Sequence, residues 1–362
     1  MHMDSLSLQC RPTVTSFSYT CSHKHRKPQP AAPDRHRGTS LALKSLIVFS
    51  SLNQKSTTRL KGKAHPLQEP RTQPSGRIMI ESDRELSAMV QELWDNDVNR
   101  LKPGKDYRIS LQGKAGDSMA MSDNNDGAGY PLFTFVDENI FKKETFLAFI
   151  SLLDNYVSDT GEPEIVTPEE VAENHKFLDA IIQTSTMKIA HKYLVENKLS
   201  PKDDTQFKEQ LYRIWFELYA RRGSSRPDSS GFEHVFVGET RGGRTVIGFH
   251  NWIQLYLQEK LGHIDYKGYS VSANSPQPDE NKHILALQFS WKDGIKPKGS
   301  IFIGVSPEFE FALYTLCFLT SPNERVKVQF NFYDVEIVCH HYNQKHIGTT
   351  YPVLLKYRKP TK

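Results

Sequence analysis

The sequence predicts an α+β fold, with a helical N-terminal part followed by antiparallel-sheet-rich lobes. Three observations carry this. Between Glu81 and Tyr219 apolar residues recur at three- and four-residue steps, the period of amphipathic helices. After Gly223 the period shortens towards two, that of half-buried strands. Residues 1–80 hold neither period: seven prolines, a basic cluster from His23 to Lys27 and many Ser and Thr leave too little apolar surface for a core. The expected organisation is a disordered basic leader at 1–80 and a folded domain at 81–360, made of a mainly helical lobe at 81–222 and an α+β lobe at 223–360. Met79 stands where the pattern changes and is a candidate alternative start.

The elements follow in order. Leu86, Met89, Val90, Leu93 and Trp94 form the stripe of a first helix, with Asp83 as its expected cap. A polar loop spans Lys102 to Gly129, and Phe141 to Val157 reads as a second helix. Thr167-Pro168-Glu169-Glu170 is a strong helix start: Thr at the cap, Pro at the first position and Glu at the third, leading towards Ile182. Met187 to Leu194 and Phe207 to Tyr219 complete the helical half. Strands are expected at His234 to Gly238, Thr245 to Phe249, Ile284 to Phe289, Ser300 to Val305, Val326 to Phe332 and Tyr333 to His341. Helices return at Trp252 to Lys260 and Glu308 to Leu319.

Composition removes several function classes. No run approaches the roughly 18 apolar residues of a membrane span, so no integral membrane association is expected. Four cysteines, at 10, 21, 317 and 339, make neither a disulfide scaffold nor a zinc spacing; Cys317 and Cys339 could pair, but two lone buried thiols is the plainer reading. The leader carries 13 Lys and Arg against 3 Asp and Glu, whereas the remaining 282 residues carry 33 against 39. The folded part is thus mildly acidic, and global charge does not argue for nucleic-acid binding. Monomer is the default, because no coiled coil or exposed repeat is apparent.

The informative segment runs from Gly231 to His250. Arg241-Gly242-Gly243-Arg244 separates two β-prone runs and predicts a hairpin; folded about Gly242, it sets His234 and His250 opposite each other on one face. Two such imidazoles suit RNA cleavage by its own 2′-hydroxyl. One takes the hydroxyl proton while the other protonates the departing 5′-oxygen, both with pKa values near neutrality. A cation is needed for the charge that builds on the phosphoryl oxygens, and Lys292, Lys296 and Lys298 are all candidates at this stage. A helix beginning near Asn251 would favour a neutral His250. Glu233 is expected on the opposite strand face from His234, and Glu239 on a solvated face near the turn, so neither supports a metal site with the histidines. Trp252, Tyr256, Trp291, Tyr342 and Tyr351 are candidates for stacking on a base. Tyr351 stands out for its turn-like setting, and Thr349 and Thr350 could hydrogen-bond a pyrimidine. No HExxH, P-loop, GxSxG or Rossmann fingerprint occurs.

Four segments then point further: Gly231-Phe232-Glu233-His234-Val235-Phe236-Val237-Gly238-Glu239, Gly248-Phe249-His250-Asn251-Trp252, Gly299-Ser300-Ile301-Phe302-Ile303-Gly304-Val305-Ser306-Pro307-Glu308-Phe309-Glu310-Phe311-Ala312-Leu313-Tyr314, and Gly348-Thr349-Thr350-Tyr351-Pro352. Together they closely resemble the EndoU family of uridylate-specific endoribonucleases, over about Glu81 to Lys359. The resemblance implies a centre of His234, His250 and Lys296, with His250 as general base, His234 as general acid and Lys296 as stabiliser. It implies uracil or ribose recognition by Ser300, Thr349 and Tyr351, and supporting roles for Glu233 and Asn251. It further implies single-stranded, uridine-containing RNA as partner, products with 2′,3′-cyclic phosphate and 5′-hydroxyl ends, and dependence on Mn²⁺ at a site the residues do not reveal. The alternative is an RNA-binding module with an inactive centre. Many relatives are secreted, yet no signal peptide is evident, so secreted, cytoplasmic and nuclear localisation all stay open.

Overall fold

The computed structural model describes residues 81–116, 126–221, 225–272, 275–322 and 324–358. The chain divides into two units, Met1–Gln73 and Pro74–Lys362; the expected leader at 1–80, with Cys10, Cys21 and Met79, lies outside the described residues.

The helical half begins with α1 (Glu81–Asp95), which starts ahead of the expected cap and so contains Asp83. A small hairpin-like pair follows, β1 (Tyr107–Ile109) with β2 (Phe133–Val136), antiparallel. The expected helix at 141–157 is shorter: a 3₁₀ turn at Glu138–Lys142, capped by Asp137, passes into α2 (Glu144–Ile150), and the chain leaves the helix where Ser151 Oγ turns back to the Ala148 carbonyl (2.9 Å). Next come α3 (Pro168–Ile182), α4 (Ser185–Glu196) and α5 (Asp204–Trp215). The α3 start is the capping box expected: Glu170 N donates to Thr167 Oγ1 (3.2 Å), and Thr167 N donates to Glu170 Oε2 (2.7 Å).

The second half carries two sheets. One has five strands in the order β3 (Glu239–Arg241), β4 (Thr245–Ile247), β7 (Gly294–Phe302), β6 (Ile284–Trp291), β5 (Ile264–Tyr269); the other has three, β10 (His346–Tyr357), β9 (Tyr333–Tyr342), β8 (Arg325–Phe330). All pairings are antiparallel except the β4–β7 bridge, Thr245 with Ile295. Helix α6 (Trp252–Lys260) follows β4 and α7 (Pro307–Thr320) follows β7. The latter is apolar all round and buried along nearly its whole length, as a helix at the centre of a core must be. Trp215 and Phe236 stack together, and Trp215 stacks on Phe311 of α7 (centroids 4.6 Å apart), which joins the helical half to the site-bearing segment. Cys317 and Cys339 are buried free thiols. Among the described residues no helix is long and apolar enough to cross a membrane.

Two sequence expectations are corrected here. Residues 233–237 form not a strand but a π-helical turn, Glu233–Val237, closed by Gly238 N donating to the Glu233 carbonyl (2.8 Å). Phe232 and Phe236 satisfy either period, and the segment is buried on every side, so alternation carried no information about a solvent face. Tyr351 lies not in a turn but within β10, whose Pro352 is tolerated because β10 is an edge strand.

Candidate active site

The β3–β4 hairpin does form between the two histidines, but its ladder (Glu239–Ile247, Thr240–Val246, Arg241–Thr245) turns about Gly243 and stops short of both. His234 instead rides on the π turn, and His250 follows β4. What aligns them is main chain: Phe249 N donates to the His234 carbonyl (2.8 Å) and His250 N to the Val235 carbonyl (2.6 Å). Gly248 makes this approach possible. It has φ of +61°, and a Cβ there would lie 1.9 Å from the His234 carbonyl oxygen.

Both imidazoles open on one pocket of about 590 Å³ between the two sheets. It is also lined by Lys296, Ser300, Thr349 and Tyr351, so six of the eight predicted site residues meet there despite lying up to 117 positions apart. Lys296 is on β7; its buried ammonium donates to the Gly248 carbonyl, and burial lowers its pKa to about 8. Lys292 is engaged elsewhere, with Ser158, whereas Lys298 lines the pocket and reaches Ser272 (3.4 Å). Of the five aromatic candidates only Tyr351 lines the pocket, where it stacks on His250 (4.5 Å, 15°). Trp252 and Trp291 are buried, with indole N–H groups on the Val305 carbonyl and Gln258, and Tyr342 stacks on Tyr219.

The two histidines are held differently. His250 Nδ1 meets the Ser300 carbonyl (2.9 Å), which only accepts, so Nδ1 carries the hydrogen and Nε2 keeps its lone pair in the neutral ring. Burial, then Lys296, keeps the His250 pKa well below the usual range. His234 Nδ1 meets the Glu239 carboxylate. Burial and Arg221 lower the His234 pKa to about 4, while Glu239 opposes them. Glu239 is wholly buried, not solvated as the turn had suggested, and its pKa lies below the usual value because His234 and Arg221 outweigh burial. Arg221 Nε reaches Glu239 Oε2 (3.1 Å), and its Nη2 donates to the Gly348 carbonyl (3.0 Å), bracing this network against β10. Glu239 and Arg221 are the site residues that sequence reasoning missed. The visible signal was the pairing of a histidine with a carboxylate five residues on, which only a helical turn brings together.

The other two predicted residues sit behind the pocket. Asn251 caps α6: its Oδ1 accepts from Ile253 N (2.9 Å) and Gln254 N (3.0 Å), while Nδ2 donates to Glu310 Oε2 (2.8 Å). Glu233 is fully buried, and burial with the neighbouring Glu239 raises its pKa well above normal. Neither lines the pocket. Among the described residues the lining includes Arg241, Lys296, Lys298 and Arg325 and no Asp or Glu. A mildly acidic domain therefore presents a locally cationic pocket. Among the described residues no three His, Cys, Asp or Glu side chains converge as a cage that would hold Mn²⁺.

A paired imidazole centre with a buried lysine, in a pocket lined by cations, has the parts of an acid–base phosphoryl-transfer site. The model of the Endoribonuclease XendoU family matches residues 85–352, and the chain belongs to that family. It is 85% identical over 279 residues to a uridylate-specific endoribonuclease B of Danio rerio, covering 77% of this chain and 99% of that protein. It is 57% identical over 282 residues to a poly(U)-specific endoribonuclease-B of Xenopus laevis, covering 77% and 96%. Among solved structures it is similar to XendoU, described as a splicing-independent snoRNA-processing endoribonuclease, with a TM-score of 0.66 at 55% identity over 75% of this chain and 97% of that one.

Proposed function

We propose that this protein is an endoribonuclease that cuts single-stranded RNA at uridylates, leaving a 2′,3′-cyclic phosphate and a 5′-hydroxyl. The observation that carries the mechanism is the asymmetric anchoring of two histidines in one pocket. His250, with Nδ1 tied to a carbonyl, offers the Nε2 lone pair to the 2′-hydroxyl proton. The freed oxygen attacks the adjacent phosphorus, and the phosphorus–5′-oxygen bond breaks. His234, whose imidazolium the Glu239 carboxylate favours, delivers a proton to the departing oxygen. The phosphodiester anion supplies the negative charge that raises the His234 pKa from its low resting value on binding. Lys296 stabilises the phosphoryl oxygens as charge accumulates. Ser300, Thr349 and Tyr351 hold the uridine, Tyr351 fixing the His250 ring from its face. Asn251 and Glu233 act through the elements that carry the histidines.

The resemblance to EndoU enzymes implies stimulation by Mn²⁺. With no protein cage for it among the described residues, we assign the ion to the RNA phosphates and route no step through it. Tight Mn²⁺ binding by RNA-free protein in calorimetry would contradict this.

The test is cleavage of a short RNA containing one uridine, with mass analysis of the ends. A cyclic phosphate at that uridine, lost in His234→Ala protein, is the expected result. Intact RNA from folded protein would favour an RNA-binding module instead.

A further inference from the structure

Beyond the catalytic groups, the pocket lining continues along β6 and β10 to Ile284, Val353 and Leu354. We propose that this extension is a subsite for the nucleotide immediately 5′ of the cleaved uridylate, with its base on an apolar shelf and the linking phosphate on Arg325. This rests on the proposed ribonuclease activity.

Strand register fixes the layout. On β6, Ala286 pairs with Ser300, and Ile284 lies two residues farther from the Lys296 end. On β10, Tyr351 stacks on His250, and Val353 lies two residues beyond. Two strand residues advance about 7 Å, twice the rise of about 3.4 Å between stacked nucleotides. Past Ser300 and Tyr351 the two strands add Ile284, Val353 and Leu354 to the lining, which also contains the apolar Val271, Pro276 and Pro278. This surface is continuous with the catalytic pocket and suits the face of a base.

Polarity decides which neighbour it takes. The phosphate 3′ of the uridine is the one that reacts, so it lies with His234, His250 and Lys296. The uridine itself, at Ser300, Thr349 and Tyr351, separates that phosphate from the shelf. Only the 5′ side of the chain therefore leads there. A cation stands at this side: Arg325 pairs across β8 with Val338, which pairs with Tyr351, so the three share one row of the sheet. Arg325 also lines the pocket. Glu336 holds its guanidinium, accepting from Nε (2.8 Å) and Nη2 (2.6 Å), which engages two of five donors and orients the rest of the group.

The test compares UpA with ApUpA in the wild type, Leu354→Asp and Arg325→Ala proteins. The wild type should cut ApUpA with kcat/KM at least tenfold above UpA. In each variant that ratio should fall below about threefold. An abasic residue at the 5′ position should lose the Leu354-dependent part and keep the Arg325-dependent part. Equal cleavage of UpA and ApUpA by the wild type would overturn the subsite, as would variants that slow both substrates equally. Failure to cut either substrate would instead refute the ribonuclease reading, and the subsite with it.

Discussion

His234 and His250 share a pocket but answer to opposite partners. His234 stands on a π-helical turn, with a buried, ionised carboxylate at Nδ1 and an arginine behind that carboxylate. His250 stands at the mouth of α6, with a neutral carbonyl at Nδ1 and a tyrosine ring on its face. A carboxylate stabilises the imidazolium, whereas a carbonyl fixes a tautomer without adding charge. Burial disfavours the charged form of both rings, and only His234 has a counter-charge to recover it. Two chemically identical side chains are thereby given different work by second partners. In the proposed mechanism His234 becomes charged when an anion arrives, and His250 remains the base.

The largest effects should come from removing the rings. His234→Ala and His250→Ala should each lower kcat by about 10²–10⁴, with circular dichroism and melting unchanged enough to show a folded protein. A near-normal rate in either folded variant would end the assignment. Lys296→Ala should cost about 10²–10³ in kcat. With the Lys296 pKa at about 8, its charge is present below that pH and lost as pH rises through it. The pH profile of kcat/KM should therefore fall above about 8, and Lys296→Arg should move that limb upwards.

Glu239→Gln sharpens the contrast between the rings. Loss of one charge-assisted bond is worth about 1.5–3 kcal/mol, so kcat should drop by roughly 10–150-fold. The drop should grow with pH, because the variant needs a more acidic solution to protonate His234. A pH-independent loss would mean that Glu239 is merely structural. The smallest effect belongs to the His250 side: Asn251→Ala removes the α6 cap and should cost about 1 kcal/mol of stability, read as a lower denaturant midpoint. Its activity loss should be smaller than that of Glu239→Gln, since Asn251 touches the helix and Glu310 rather than the imidazole.

Much of this was legible in the sequence, and the exceptions have physical causes. Caps are local, so Thr167 with Glu170 announced α3. The apolar run from Glu308 announced α7. The α+β class and six pocket residues followed from period and from the family resemblance. The π turn was illegible because Phe232 and Phe236 fit either period in a segment with no solvent face. Glu239 was misread because it sits at the end of the β3–β4 ladder away from the turn, paired with Ile247, where its side chain meets His234 and Arg221 rather than solvent. Strand β10 was hidden by Gly348 and Pro352, which an edge strand accommodates.

The division of labour between the two histidines is tested most directly by an RNA whose 5′-leaving oxygen at the uridine is replaced by sulfur. A thiolate departs without needing a proton, so only the general acid becomes dispensable. His234→Ala protein should recover at least about 100-fold towards the wild-type rate on this substrate, in keeping with the 10²–10⁴ that a general acid contributes. His250→Ala should stay as impaired as on ordinary RNA. Rescue of His250→Ala, or of neither variant, would contradict the roles that their anchoring assigns.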